Sequence, residues 1–207
     1  MRTIAIVNAK GGSGKSTLAT GLAAALAWEG HEVMLGDMDP QQSSHDWLAL
    51  RPETYPTIHA GERGSRSTDF LILDTPAGLA GAELRKVLKR ANTVLMPILP
   101  SPIDMRAAWR FLDGLLNLKD IQSRNVALGL VANRVRPQTL IYRELTGFLD
   151  DYRVPVVAEL RDSMNYVRAN ERGLAVVDLP AYLAEEDWAQ WDVLVQWVLS
   201  RKARGKR

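Results

Sequence analysis

The chain has 207 residues, 46% apolar and 24% charged, with a net charge of +2 at neutral pH, the balance of a folded domain and not of a disordered or fibrous chain. It contains no cysteine, which excludes disulfides, thiolate zinc sites, iron–sulfur clusters and thiol catalysis together and suits a reducing cytosol. No run reaches the length of a membrane span and the amino end lacks a signal-peptide core, so the expectation is a cytoplasmic protein.

Residues 3–8 read as a strand, 16–29 as a helix and 31–37 as a second strand, a βαβ unit. A helix at 43–49 precedes a stretch at 51–68 in which Pro52, Pro56, Gly61 and Gly64 sit among Ser, Thr and Arg, expected as an irregular connection. The alternation then resumes with strand 70–74, helix 82–91, strand 93–98, helix 104–118, strand 126–133, helix 139–151, strand 154–160, helix 163–172 and a final amphipathic helix at 185–201. Strands that are near-continuous Ile, Val and Leu are buried on both faces. The expected fold class is therefore α/β: a three-layer, mostly parallel twisted sheet with helices on both faces. One domain is expected over 1–200, followed by a basic tail at 201–207.

Directly after the first strand comes Asn8-Ala9-Lys10-Gly11-Gly12-Ser13-Gly14-Lys15-Ser16-Thr17, opening an Ala/Leu-rich helix. Gly11, Gly12 and Gly14 lack a Cβ, so the backbone can curl until several N–H groups face one anion, and the helix start adds its positive dipole end. With Ser13 completing the loop, such a segment grips polyphosphate. Lys15 is placed to reach the β- and γ-phosphates, Ser16 to ligate a bridging Mg²⁺, and Thr17 to sit near the α-phosphate.

Two carboxylates, Asp37 and Asp39, close the second strand in Asp37-Met38-Asp39-Pro40-Gln41, at the carboxyl edge where open α/β sheets bind ligands. One of them can orient water toward a γ-phosphate; the other reading of the string is a strand-ending turn that caps the next helix. The strand Phe70-Leu71-Ile72-Leu73 ends in Asp74, an acid placed to hold Mg²⁺.

The general P-loop pattern has glycine where this chain has Ala9, and here Lys10 supplies a second lysine. Lys-Gly-Gly-x-Gly-Lys-Ser resembles the deviant Walker A motif of the ParA/MinD family of ATPases, as do Asp-x-Asp-Pro-Gln, the Asp74-Thr75-Pro76 strand end, Pro100-Ser101-Pro102-Ile103-Asp104 and Val131-Ala132-Asn133-Arg134. The resemblance implies that Lys10 reaches the partner subunit's ATP across a homodimer. It further implies that Asp39 positions the attacking water, that Asp37 lies near the Mg²⁺ shell and that Asn133 contacts adenine. Partition-type members form an ATP sandwich dimer, bind DNA without sequence preference, become nucleoid-associated, and are reset by a partner protein that stimulates slow hydrolysis. Cargo in such systems is a plasmid, a chromosome region or a protein complex.

Candidate DNA contacts are Arg161, Arg168, Arg172, Arg201 and Lys202. The rival expectation is a MinD-like membrane switch, since Trp188, Trp191, Val195 and Val198 share one helical face ahead of the basic tail; the partition-like Asp-x-Asp-Pro-Gln string favours DNA over membrane. A reductase component would need cysteines, and a ligase would need more chain for a substrate pocket. The sequence opens on its first strand, so an operator-reading helix-turn-helix is not expected.

Overall fold

The computed structural model describes residues 1–118, 121–122, 126–150, 154–200 and 202–204. Among these, seven strands form one sheet: β1 (Arg2–Ile6), β2 (Val33–Asp37), β3 (Ile58–Ala60), β4 (Phe70–Asp74), β5 (Thr93–Ile98), β6 (Ala127–Val135) and β7 (Val156–Arg161). The spatial order is β3-β2-β4-β1-β5-β6-β7, and every neighbouring pair runs parallel. Helices α1 (Lys15–Trp28), α2 (Ser43–Leu50), α3 (Gly81–Arg90), α4 (Pro102–Leu116), α5 (Leu140–Asp150), α6 (Met164–Asn170) and α7 (Ala181–Leu199) alternate with the strands, and a 3₁₀ turn spans Val176–Asp178.

Period-two alternation along the strands divides the core. Ile4 and Ile6 of β1 pack with Leu18, Leu22 and Leu26 of α1 and with Trp191, Leu194 and Val198 of α7. Ala5 and Val7 face the opposite layer, beside Leu84, Val87 and Leu88 of α3 and Leu115 of α4. A third cluster joins Met96 and Ile98 of β5 to Met105 and Leu112 of α4 and Leu145 and Leu149 of α5. Helix α1 is buried almost all round, which explains its run of alanines: small side chains let it lie close between sheet and neighbouring helices. Its Gly21 faces the Trp191 ring so closely that an added Cβ would come within 2.4 Å of it.

The three-layer expectation holds, with local corrections. The stretch expected to be wholly irregular contains β3, which extends the sheet edge by pairing Val33 with Ile58. The last helix begins at Ala181, with a break in helical geometry at Ala184, and α6 stops at Asn170. The start of the expected solvated tail is a 3₁₀ turn at Lys202–Arg204. Ala203 is buried there, and its carbonyl accepts from Arg2 and from the Thr93 hydroxyl. Arg201 and residues 205–207 of that tail lie outside the described residues, as does Asp151.

Candidate functional site

Strands β2, β4 and β1 are adjacent, and the register pairs Asp37 with Asp74 and Ile6 with Asp74. Parallel pairing therefore brings both acids and the loop that follows β1 to one edge of the sheet. The loop leaves β1 at Asn8, which is buried; its amide donates to the Pro97 carbonyl and its Oδ1 accepts from the Lys10 N–H at 3.1 Å. Gly12 and Gly14 take φ of 75° and 91°, a left-handed backbone that a side chain would strain. Gly14 is also the N-cap of α1, so the first turn of that helix aims its free N–H groups into the loop. Ser13 closes the arch, its hydroxyl donating to the Lys10 carbonyl at 3.3 Å.

Lys15 is buried. Burial pulls its pKa below the usual lysine value, against the opposing pull of the Asp74 and Asp39 carboxylates. The ammonium donates to the Lys10 carbonyl at 3.5 Å. Asp74 has no solvent exposure; its Oδ2 accepts from the Ser44 hydroxyl at 2.5 Å, while its Oδ1 is buried without a protein partner. Burial pushes its pKa up, partly offset by the hydroxyls of Ser44 and Ser16. A buried carboxylate oxygen left open beside a serine hydroxyl and a phosphate loop suits a small divalent cation that takes its remaining ligands from phosphate and water. Among the described residues no cluster of three or more His, Asp or Glu could cage a metal, so phosphate oxygens would share the shell.

Asp37, paired with Asp74 across the sheet, holds the local network. Its Oδ1 accepts from the Asp39 N–H at 2.9 Å, and its Oδ2 accepts from the N–H groups of Ser44 and His45 at 2.8 and 3.0 Å. Oδ1 thus serves the turn and Oδ2 the start of α2. The side chain takes up the orphan donors of a helix whose N-cap, Gln42, sits at φ 54° and offers no side-chain cap. Asp37 anchors α2, and α2 in turn presents Ser44 to Asp74. Asp39 is half-exposed, with Oδ1 accepting from the Gln41 N–H at 3.0 Å.

Asn133, at the end of β6, braces the loop. Its Nδ2 donates to the Ser13 carbonyl at 2.9 Å and its Oδ1 accepts from the Arg134 N–H at 3.0 Å. A Cβ added to Gly14 would come within 2.2 Å of that Nδ2, so the glycine there is required by packing as well as by φ. Lys10 is half-exposed at the outer rim of the loop, its ammonium 2.9 Å from Asp104 Oδ1 at the start of α4. Gly11, Gly12 and Thr17 are exposed at the mouth.

Sequence reasoning missed Ser44. Its signal is a hydroxyl just beyond Asp-x-Asp-Pro-Gln, but the partner Asp74 lies 30 positions away, on a different strand. Arg161 is a correction in the other direction: its guanidinium holds Asp187 at 2.7 and 3.0 Å and also Glu186 of α7. That fork is committed within the domain and does not face a phosphate backbone. Arg168, Arg172 and Lys202 are exposed. Of the four residues on that face, Trp191, Val195 and Val198 are buried in the protein's own core and Trp188 is exposed, so most of the apolar surface an interfacial helix would insert into lipid is already covered. A cleft of about 490 Å³ between Trp28, Tyr55, Trp188 and Val195 lies at the other end of α1, about 20 Å along the helix from the phosphate loop.

The family model for the CobQ/CobB/MinD/ParA nucleotide binding domain matches residues 4–176. The chain is 28% identical over 192 residues to the maintenance of carboxysome distribution protein A of Halothiobacillus neapolitanus, covering 86% of this chain and 88% of that one. In fold it is similar to apo McdA from Cyanothece, with a TM-score of 0.77 at 16% identity over 94% of this chain and 99% of that one. It is also similar to the ATP complex of a Cyanothece McdA variant, with a TM-score of 0.70 at 16% identity over 94% and 96%. A glycine arch capping a buried helix, a buried lysine in its first turn, strand-end acids at the same sheet edge and this extent of match lead to one conclusion: the chain belongs to the CobQ/CobB/MinD/ParA nucleotide-binding family and is a P-loop ATPase.

Proposed function

We propose that this ATPase is a ParA-type positioning switch. It binds ATP with Mg²⁺, pairs with a second copy across the nucleotides, holds DNA without sequence preference in that state, and lets go when a partner protein stimulates hydrolysis. Asp74 and Ser16 hold the Mg²⁺, which neutralises charge developing on the phosphates. Lys15 reaches the β- and γ-phosphates, the N–H groups of the loop cradle them, and Asp39 orients the attacking water. Asn133 has one amide hydrogen beyond its bond to Ser13 with which to meet the base. The observation that carries this reading is the division of labour between two lysines: Lys15 is buried inside the loop, whereas Lys10 is half-exposed on its outer rim, where a second subunit can be met. The relative from Halothiobacillus supports a protein microcompartment as the cargo class.

Co-sedimentation of the ATP-bound protein with random-sequence DNA and with anionic liposomes, at two salt concentrations, tests it. Retention on DNA that falls with salt is expected; retention on liposomes alone would reverse the reading. Ser44→Ala is expected to raise the Mg²⁺ concentration needed for half-maximal ATPase about 10–100-fold, the usual effect of losing a group that orients a metal ligand. Nucleotide affinity measured without Mg²⁺ should stay near wild type, and an unchanged Mg²⁺ requirement would remove Ser44 from this role.

A further inference from the structure

We infer that the solvent stripe of α3 is the surface that takes the phosphates of duplex DNA, an inference that rests on the DNA-binding reading above. Helix α3 carries Arg85, Lys86, Lys89 and Arg90 against a single acid, Glu83, and all four basic residues are exposed. Ala82, Arg85, Lys86 and Lys89 follow i, i+3, i+4, i+7 spacing, so they form one stripe opposite the buried Leu84, Val87 and Leu88. Gly81, Ala82, Arg85, Lys86 and Lys89 border a shallow recess of about 370 Å³. Lys86 is 2.7 Å from Glu83 on the open surface, a contact of the kind that a phosphate readily replaces.

The chemistry of the stripe favours nucleic acid over a bilayer. Its apolar residues face inward, leaving cations and a methyl group outside; phosphate contact needs nothing more, whereas a lipid surface is held by inserted apolar side chains as well. The side bearing Arg161, Arg168 and Arg172 is less suited. Asn165 of α6 donates to Leu183 O and Asp187 of α7, so α6 lies beside a helix with no lysine or arginine, whose Glu185 and Asp192 remain as acids beyond the two that Arg161 already pairs, a balance less favourable to DNA.

The stripe is also wired to the nucleotide. Strand β4 ends on Asp74, and α3 starts at Gly81, so six residues join the metal-site acid to the basic helix. Within that link the Gly78 N–H donates to the Asn8 carbonyl at 3.2 Å, Asn8 being the residue that launches the phosphate loop, and a side chain added at Gly11 would meet Ala77. One backbone hydrogen bond thus ties the start of the phosphate loop to the segment that leads into α3.

The test is fluorescence anisotropy with a labelled random-sequence duplex of about 60 base pairs in ATP and Mg²⁺, across a salt series. It compares wild type, Arg85→Ala/Lys86→Ala/Lys89→Ala and Arg168→Ala/Arg172→Ala, with binding of a fluorescent ATP analogue as the folding control. The α3 variant is expected to bind DNA at least about tenfold more weakly and to lose roughly 2–3 units of the log–log salt slope, near 0.9 per cation removed, with nucleotide affinity unchanged. Wild-type DNA affinity in the α3 variant, or its loss in the Arg168/Arg172 variant instead, would overturn the assignment while leaving DNA binding intact. Absence of DNA binding by the wild type would defeat the DNA reading itself. Retention of the wild type on phosphatidylglycerol vesicles that vanishes in the α3 variant would give the stripe to a membrane and overturn the inference.

Discussion

Lys15→Ala is expected to abolish nucleotide binding at micromolar protein, whereas Asp39→Ala should bind ATP normally and fail to turn it over. The two side chains flank the same opening but differ in burial and in what they face. Lys15 is buried, and burial has already weakened its hold on a proton against the attraction of Asp74 and Asp39. A phosphate would add a direct counter-charge to that desolvated ammonium. Removing one partner of such a desolvated charge pair costs about 2–5 kcal/mol, a loss of roughly 30-fold to a few thousandfold in affinity. Asp39 is half-exposed, and the proposed switch uses it to orient water. Its loss should lower turnover by about 10²–10⁴-fold, the range for a positioned proton-transfer or water-orienting group. Isothermal titration and single-turnover hydrolysis separate the two variants. In sedimentation with ATP, the Asp39 variant should persist as a dimer; a monomer would contradict the division of roles.

The second large effect concerns stability, far from the chemistry. Asp178 is completely buried in its side chain and accepts from both ends of the Arg51 guanidinium at 2.8 and 3.1 Å. It also accepts from Trp28 Nε1 and from the Ala175 N–H, each at 2.7 Å. Arg51 lies over the rings of Trp47 and Tyr55, 5.2 and 5.5 Å from their centroids. Asp178→Ala would strand a buried cation and two donors at once, a loss of about 3–5 kcal/mol, large against a total stability of about 5–15 kcal/mol. For a domain of this size it corresponds to a melting temperature lower by about 6–20 °C. Circular dichroism melts should show it, and Arg51→Leu/Asp178→Leu should recover part of the loss because the stranded charge goes with its partner. A change under about 2 °C in the single variant would mean the network is not under load.

The glycine–lysine string and the strand-end acids were legible because each is local: backbone conformation, burial and charge are encoded within about ten residues of one another. Ser44 and Asp178 were not, since each acquires its meaning from partners on other elements, Asp74 in one case and Arg51 and Trp28 in the other. The strand β3 escaped because it is three residues long with one apolar side chain facing the core, Ile58, too short for a period-two pattern. Periodicity placed Trp191, Val195 and Val198 on one face of the last helix, yet a face does not reveal what covers it. The answer is Gly21 on α1, whose missing side chain makes the notch for the Trp191 ring. For Asp37 and Arg161 the sequence shows a charge in a suggestive position but not its partners, which are the start of α2 in one case and Asp187 in the other.

The contact between Lys10 and Asp104 bears on how two subunits meet. In the lone chain the outer lysine is parked on its own neighbour, so in the proposed dimer reaching a second copy would begin with letting go. With both groups partly in water, such a contact is worth about 0–1 kcal/mol, less than one factor of ten in an equilibrium. The arm is therefore tethered but not locked. Added salt loosens the tether and dulls the pull of the distant triphosphate together, so assembly should vary more gently with ionic strength than the charge of that lysine alone would require.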